Sequence, residues 1–533
     1  MKKMLLGNEA VVQGALEAGV NYVSVYPGTP SSEIGDIFSK IAKENGVYFE
    51  FSTNEKTAME SSIGASFAGL KCLVSMKSFG VNVASEAIIP FCYTGSKGAV
   101  VIMVADDPSC WSSGQSEQNT RAFSYSAHIP MIEPSDAQEA KDYIKLGFDI
   151  SEKYNLPIIV RTTTRVAHQR MPVEIGLIKK SNKVGNFVKD FNRFVTMPPR
   201  VLEMKEELLA KIEKIREEAE KSSINILKKG QGKIGVITAG ISYLHTKEVL
   251  EKLKLDVPIL KLGFFYPLPK KKVSTFIKDL DRVLIIEELE GWLEKEVNVL
   301  AKENNLKLKV YGKDILPVSR EFNVDIIGLA IGKVFGKKYK VTEEFKALTL
   351  PKRYPRLCQG CPYWFPFTAV KELAPKGTVF GGDIGCYMLA GFPPHDIQDY
   401  LLCMGSGIGI GHGIIKASQN KQKLVAFIGD STFFHSGMPA LVNAVYNKSN
   451  PLIIVMDNRI TAMTGHQPNP GQVIKIEDIV KACGVKHIKV VDPQNVNELR
   501  ATIKDFLTKK EVSVIVSKRI CALWERRLKR LQK

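Results

Sequence analysis

No stretch of this 533-residue chain approaches the ~18 consecutive apolar residues that a membrane-spanning helix needs. The N-terminus, Met1-Lys2-Lys3-Met4-Leu5-Leu6-Gly7, carries two lysines but no apolar core of signal-peptide length. Both absences lead us to expect a cytoplasmic protein that does not engage a membrane. There is no repeat of solenoid period and no low-complexity tract. No compact basic block alternates with aromatics, apart from the short run Arg526-Arg527-Leu528-Lys529-Arg530. The net charge of +18 therefore does not read as a nucleic-acid footprint. Lysines are spread along the chain and often interleaved with glutamate, as in 202–221, which fits a basic background with some attraction for acidic substrates and acidic protein partners. Nine cysteines without a secretion signal argue against a disulfide framework and for reduced thiols or metal ligation.

What is present is a long chain of ordinary apolar content, 44%, which calls for three or four cores rather than one. Apolar runs alternate with helical periodicity, the pattern of doubly wound α/β domains with mostly parallel sheets. Residues 1–175 form the first such unit, with strands expected near 22–26, 47–51, 99–105 and 157–161. Residues 176–230 are polar, and 202–221 has the period of a charged helix, so this segment reads as a linker. A second unit spans 231–336, a second linker 337–356 holds Pro351 and Pro355, and a third unit covers 357–533. Ligands of such sheets bind at the carboxyl ends of the strands. Three turns there stand out: 26–33, 51–60 and 428–435.

In the third unit the strand ending Val425-Ala426-Phe427 runs into Gly429-Asp430-Ser431, and a second apolar strand, 451–456, ends at Asp457-Asn458. A carboxylate and an amide at two strand tips, separated by one helix, can hold a divalent cation on a diphosphate. Oxygen ligands suit Mg²⁺, which shares its shell between protein carboxylates and phosphate oxygens. The pattern resembles the thiamine diphosphate signature, Gly-Asp-Gly followed later by Asn-Asn, with Ser431 in place of Gly and Asp457 in place of Asn. Enzymes with that cofactor need a glutamate against its aminopyrimidine ring, in an apolar spot that raises the carboxyl pKa. Glu55 opens a helix after the strand 47–51. Alone it is a glutamate in a first helical turn, which the dipole favours.

The wider chain resembles the 2-oxoacid:ferredoxin oxidoreductases, and among them the alpha subunits of indolepyruvate ferredoxin oxidoreductase. The motifs are Tyr26-Pro27-Gly28-Thr29-Pro30-Ser31-Ser32-Glu33, Asn54-Glu55-Lys56-Thr57-Ala58-Met59-Glu60, Glu133-Pro134-Ser135-Asp136-Ala137-Gln138-Glu139, Cys358-Gln359-Gly360-Cys361-Pro362, Gly382-Asp383-Ile384-Gly385-Cys386 and Thr461-Ala462-Met463-Thr464-Gly465. They cover nearly all of the chain in one domain order: pyrimidine-binding, transketolase C-terminal-like, diphosphate-binding. The resemblance implies oxidative decarboxylation of an aryl 2-oxoacid, with coenzyme A taking the acyl group, ferredoxin the electrons, and a smaller beta subunit as partner. It makes Glu55 the pyrimidine glutamate and sets Thr29 in a substrate-facing turn. Asp430, Asn458 and the carbonyl of Ile460 become Mg²⁺ ligands, beside Gly429 and Ser431. Thr464, Gly465 and Gln467 become cofactor-facing. Arg121 is assigned to the substrate carboxylate, through its bidentate fork.

The glycine run Met404-Gly405-Ser406-Gly407-Ile408-Gly409-Ile410-Gly411-His412-Gly413 lacks the strand and the distant acid of a dinucleotide fingerprint. It reads as close backbone approach to a diphosphate or as tight helix packing. His412 and His435 read as core residues, the latter near enough in sequence to Asp430 to reach substrate. Cys358-x-x-Cys361 lacks the second pair of a zinc ribbon, and Pro355 and Pro362 favour a loop over a thioredoxin-like helix. With Cys386 and Cys521 it matches the family's places for a [4Fe–4S] cluster, which needs four thiolates. Cys72, Cys92, Cys110, Cys403 and Cys483 read as bystanders. The chain lacks the paired ferredoxin-type cysteine runs with which such alpha subunits usually end. That departure keeps a non-oxidative 2-oxoacid decarboxylase as an alternative, and Ser431 with Asp457 keeps a binding subunit with a decayed metal site as another.

Overall fold

A computed structural model describes residues 1–532 apart from Ser113, Ser181, 342–350 and Lys352. Part of the linker expected at 337–356 thus lies outside the described residues. The chain divides into two compact units, Met1–Lys346 and Ala347–Lys533.

The first unit is built on a seven-stranded sheet whose order is Phe264–Tyr266, Met131–Ile132, Ile158–Thr163, Val100–Asp106, Cys72–Lys77, Tyr22–Val25, Tyr48–Phe51. All neighbours are parallel except Phe264–Tyr266, an antiparallel edge. Val100–Asp106 is buried along its whole length. That is the signature of a parallel strand covered by helices on both faces, and it explains why these strands read as continuous apolar runs. A five-stranded sheet follows in the order Lys309–Tyr311, Arg282–Ile286, Ile234–Ala239, Ile259–Leu262, Ile226–Lys228.

The polar segment 176–230 is more than a tether. Its helix Arg200–Lys221 buries Met204, Leu208, Ile212, Ile215 and Ala219, a stripe at three- and four-residue spacing. Its last residues, Ile226–Lys228, add the antiparallel edge to the five-stranded sheet. Phe264–Tyr266, from the second expected unit, pairs with Met131–Ile132 of the first. The segments 1–175 and 231–336 thereby share both strands and core, and they form one compact body.

The second unit is a five-stranded parallel sheet ordered Val379–Gly381, Leu424–Gly429, Leu452–Asp457, Ser513–Lys518, His487–Val491. Apolar clusters lie on its two faces, one around Phe367, Phe427 and Ile454, the other around Ile408, Phe433 and Val455. Tyr400 and Leu424 would collide with a Cβ at Gly411, and the Gly382 carbonyl would lie 2.7 Å from one at Gly407. The glycine run therefore packs the helix Ser406–Ala417 tightly against the sheet.

Candidate functional site

In the first unit the carboxyl edge of the seven-stranded sheet gathers Thr29, Glu55 and Lys77. Glu55 is the first residue of the helix Glu55–Phe67, which Asn54 caps by accepting from the Thr57 amide at 2.8 Å. The Glu55 side chain is buried, 4% exposed. It passes over Gly80 of the helix Ser78–Thr94, where an added Cβ would stand 2.6 Å from Glu55 Cγ and 3.0 Å from its Oε1. Thr29 is half-buried in the turn after Tyr22–Val25, its hydroxyl 3.4 Å from that of Ser32.

Arg121 does not serve the role expected for it. It is 2% exposed and binds Glu133 through two hydrogen bonds of 2.7 Å, with Glu287 at 3.6 Å and the ring of Phe265 beneath it. Arg161 joins the same network through Asp106 at 2.7 Å and Glu133 at 3.2 Å. The Nε–Nη2 edge of Arg121 already holds a buried carboxylate and its Nη1 donates to the Glu288 carbonyl at 3.3 Å, so the fork has internal partners on each edge. The bidentate geometry inferred from sequence is real, but its partner is internal.

In the second unit Asp430 follows directly on the strand Leu424–Gly429, fully buried. Its Oδ1 accepts from the Ser431 amide at 2.7 Å, while Oδ2 is buried without a donor. Burial, and then the charge of Asp457, push its carboxyl up to about 7. Asn458 donates from Nδ2 to the Tyr363 hydroxyl at 2.6 Å and accepts from the Ile460 amide at 3.0 Å, which leaves its carbonyl oxygen a second lone pair. The next loop closes on itself. Thr461 and Gln467 pair through the backbone, the Thr464 hydroxyl donates to Gln467 at 2.7 Å, and Gly465 takes φ +135°. Thr461 reaches back to the Ser431 hydroxyl at 3.0 Å. Ser431 is thus a strut between the two strand tips. Asp457, the other departure from the signature, lies 3.4 Å from Arg459 Nε and 3.9 Å from Lys518 Nζ, so its extra charge has partners.

Asp383 was not singled out from sequence, although its motif was. It accepts from the amides of Ile384 and Gly405 at 2.8 and 3.0 Å and from that of Gly429 at 3.1 Å, tying three loops to the same strand end. Burial outweighs these donors and raises its carboxyl to about 6. Tyr387 lies so close to Gly429 that a Cβ there would stand 1.7 Å from the tyrosine oxygen. His435 is buried in the π-type turn Phe433–Gly437.

Cys358 and Cys361 lie on a turn closed by the Cys361 amide on the Cys358 carbonyl at 3.0 Å, with Gly360 at φ +79°. Burial raises the thiols of Cys361 and Cys386 to about 12, and each also feels the charges of Cys358 and Cys521. The four cysteines therefore share one neighbourhood, as free thiols. Among the described residues, however, no three His, Cys, Asp or Glu side chains are drawn together as a metal cage. Cys72 and Cys92 are buried in the core of the first unit.

The models of three protein families match this chain in order. Residues 13–220 match the thiamine diphosphate-binding domain of pyruvate flavodoxin/ferredoxin oxidoreductase, 224–350 an indolepyruvate oxidoreductase domain, and 383–517 the C-terminal domain of thiamine pyrophosphate enzymes. The indolepyruvate oxidoreductase subunit IorA of Pyrococcus horikoshii is 43% identical over 98% of this chain and 86% of its own. This chain belongs to the indolepyruvate oxidoreductase IorA family. The IorA subunit of Methanothermobacter thermautotrophicus is likewise 43% identical, over 98% of this chain and 87% of that one. The 2-oxoglutarate:ferredoxin oxidoreductase of Magnetococcus marinus, solved with 2-oxoglutarate, coenzyme A and succinyl-CoA bound, shares the α/β fold. Its TM-score is 0.51 at 16% identity, over 62% of this chain and 65% of that one. The family makes this a thiamine diphosphate-dependent oxidoreductase acting on 2-oxoacids.

Proposed function

We propose that the protein is the thiamine diphosphate-binding subunit of an enzyme that oxidatively decarboxylates aryl 2-oxoacids, of which indolepyruvate is the type. The 2-oxoacid and coenzyme A give an acyl-CoA, CO₂, a proton and two electrons, and the electrons pass to ferredoxin. A smaller beta subunit completes the enzyme, as the subunit names of the relatives suggest. The single observation that carries the reading is Asp430. A fully buried carboxyl group with an oxygen that accepts no hydrogen bond, next to a second acid, keeps its charge at neutral pH most readily when a cation joins it. Mg²⁺ on a diphosphate is such a cation. Asp430, the Asn458 side-chain oxygen and the Ile460 carbonyl would hold the metal, with Thr464, Gly465 and Gln467 along the cofactor.

Bound thiamine diphosphate supplies an electron sink for the carbon that loses CO₂. The chain's own residues do the rest. Glu55 holds a carboxyl group in a desolvated position, where it can exchange a proton with the aminopyrimidine ring. Gly80 leaves it room to reach. Asp383 and Ser431 fix the loops that present the metal ligands. Cys358, Cys361, Cys386 and Cys521 would ligate a [4Fe–4S] cluster, and a bound metal would hold as thiolates even Cys361 and Cys386, whose thiols burial otherwise keeps protonated.

Anaerobic purification with any partner chain tests the reading, followed by iron analysis and an assay of 2-oxoacids with coenzyme A and a viologen acceptor. Iron near four atoms per chain and acceptor reduction that needs coenzyme A are expected. Absence of iron together with aldehyde release without an acceptor would instead establish the non-oxidative decarboxylase. Failure to bind thiamine diphosphate with Mg²⁺ would leave a subunit with a decayed site.

A further inference from the structure

The fully buried cations of the first unit, Arg121, Arg161, Lys141 and Lys261, each hold a carboxylate: Glu133, Asp106, Glu17 and Glu139. Lys77 does not. It ends the strand Cys72–Lys77, and its ammonium donates to the neutral Gln115 at 3.2 Å and lies 4.9 Å above the ring of Phe79. No carboxylate among the described residues forms an ion pair with it. Asp107 is spent elsewhere, accepting from Ser112 N at 2.7 Å and from the Thr164 hydroxyl at 2.5 Å.

The position is specific. Cys72–Lys77 pairs in parallel with Tyr22–Val25 on one side and Val100–Asp106 on the other, so Lys77 and the turn bearing Thr29 leave the sheet at the same edge. The lysine stem lies on Gly28, where an added Cβ would stand 3.0 Å from Lys77 Cγ. Three residues later in the chain, Gly80 receives Glu55. Lys77 also precedes the first turn of the 17-residue helix Ser78–Thr94, whose end carries no side-chain cap, so the field there favours an anion. Burial pushes the ammonium down, and Glu55, Asp107 and Cys110 oppose this only through space.

We propose that Lys77 receives the carboxylate of the 2-oxoacid substrate. The inference rests on the decarboxylase reading above and fills the role that Arg121 cannot. A 2-oxoacid places its carboxylate next to the carbonyl carbon that reacts, so a cation beside Glu55 and Thr29 suits that group. The contact is made to the ground state, because the carboxylate charge is lost as CO₂ leaves. Removing it should therefore raise KM without lowering kcat.

The test compares the wild type, Lys77→Met and Lys77→Arg in the anaerobic enzyme with its partner chain, using phenylpyruvate and indolepyruvate. For Lys77→Met, a KM for the 2-oxoacid raised about 10- to 100-fold is expected, the range of one lost charge-assisted hydrogen bond. The KM for coenzyme A and the Kd for thiamine diphosphate should stay within about twofold, and Lys77→Arg should recover most of the affinity. An unchanged 2-oxoacid KM would overturn the proposal. So would a rise confined to coenzyme A, or equal loss of thiamine diphosphate binding in both variants. A wild type inert toward every 2-oxoacid would sink the decarboxylase reading itself, and that outcome is distinct from an active wild type with an indifferent Lys77→Met.

Discussion

At the scale of single residues, the proposed function gives two carboxylates opposite tasks: Glu55 is to exchange a proton, and Asp430 is to hold a charge. Glu55→Gln keeps the shape of the side chain and removes the proton, so kcat should fall about 10²- to 10⁴-fold while thiamine diphosphate still binds. Steady-state kinetics beside a calorimetric titration separates the two effects. Gly80→Ala probes the same proton path from behind, since its Cβ would press on the Glu55 side chain, which can swing away, and on Met76 Cβ at 2.9 Å. A drop in kcat with only a small loss of melting temperature is expected, and an unchanged kcat would mean Glu55 is not held where the account needs it. Sequence made the positions of Glu55 and Asp430 legible, because each opens a helix after a strand end within a recognisable motif. It misled on Arg121, because a guanidinium poised for a carboxylate looks the same whether that carboxylate is substrate or Glu133. It passed over Lys77 and Asp383, whose roles depend on which loops lie beside them.

At the scale of elements, the first unit is stapled by Glu17, on the helix Gly7–Ala18. It is buried and paired with Lys141 and Lys145 of the helix Ala137–Tyr154, at 3.4 and 2.8 Å, and accepts from the Gly176 amide at 2.6 Å. Burial raises its carboxyl, but Lys145, Gly176, Gln13 and Lys141 together bring it down to about 2. A folded pKa below the unfolded value of 4.5 gives stability that is complete above about pH 4.5 and lost as pH falls toward 2. Glu17→Gln should cost about 2 kcal/mol at pH 7 and flatten that acid limb, which denaturant melts at a series of pH values would measure. In the second unit Gly429→Ala meets Tyr387, a buried ring with little freedom to retreat. We expect a loss of about 1–3 kcal/mol and weaker cofactor binding together. Most of the central parallel strands were readable as apolar runs, but Cys72–Lys77 was not among the strands expected. The short strands Met131–Ile132, Phe264–Tyr266 and Ile226–Lys228 were not readable, since two or three residues carry no period and only their neighbours make them strands.

At the scale of the whole molecule, charge and linkage give further expectations. A protein of net charge +18 should draw an acidic electron carrier by long-range attraction, so KM for ferredoxin should rise with ionic strength while reduction of a cationic viologen should not weaken in step. Parallel kinetics between low and high salt would check this, and identical trends would refute it. Thiamine diphosphate and Mg²⁺ together, at about a hundredfold over Kd, should add about 2.7 kcal/mol of stability, and neither alone should do so. The most direct measurement is the product balance of a single anaerobic turnover of an aryl 2-oxoacid by the enzyme with its partner chain. The account predicts one acyl-CoA and two one-electron equivalents of reduced acceptor for each CO₂. Free aldehyde formed in step with CO₂, with the acceptor left oxidised, would contradict it.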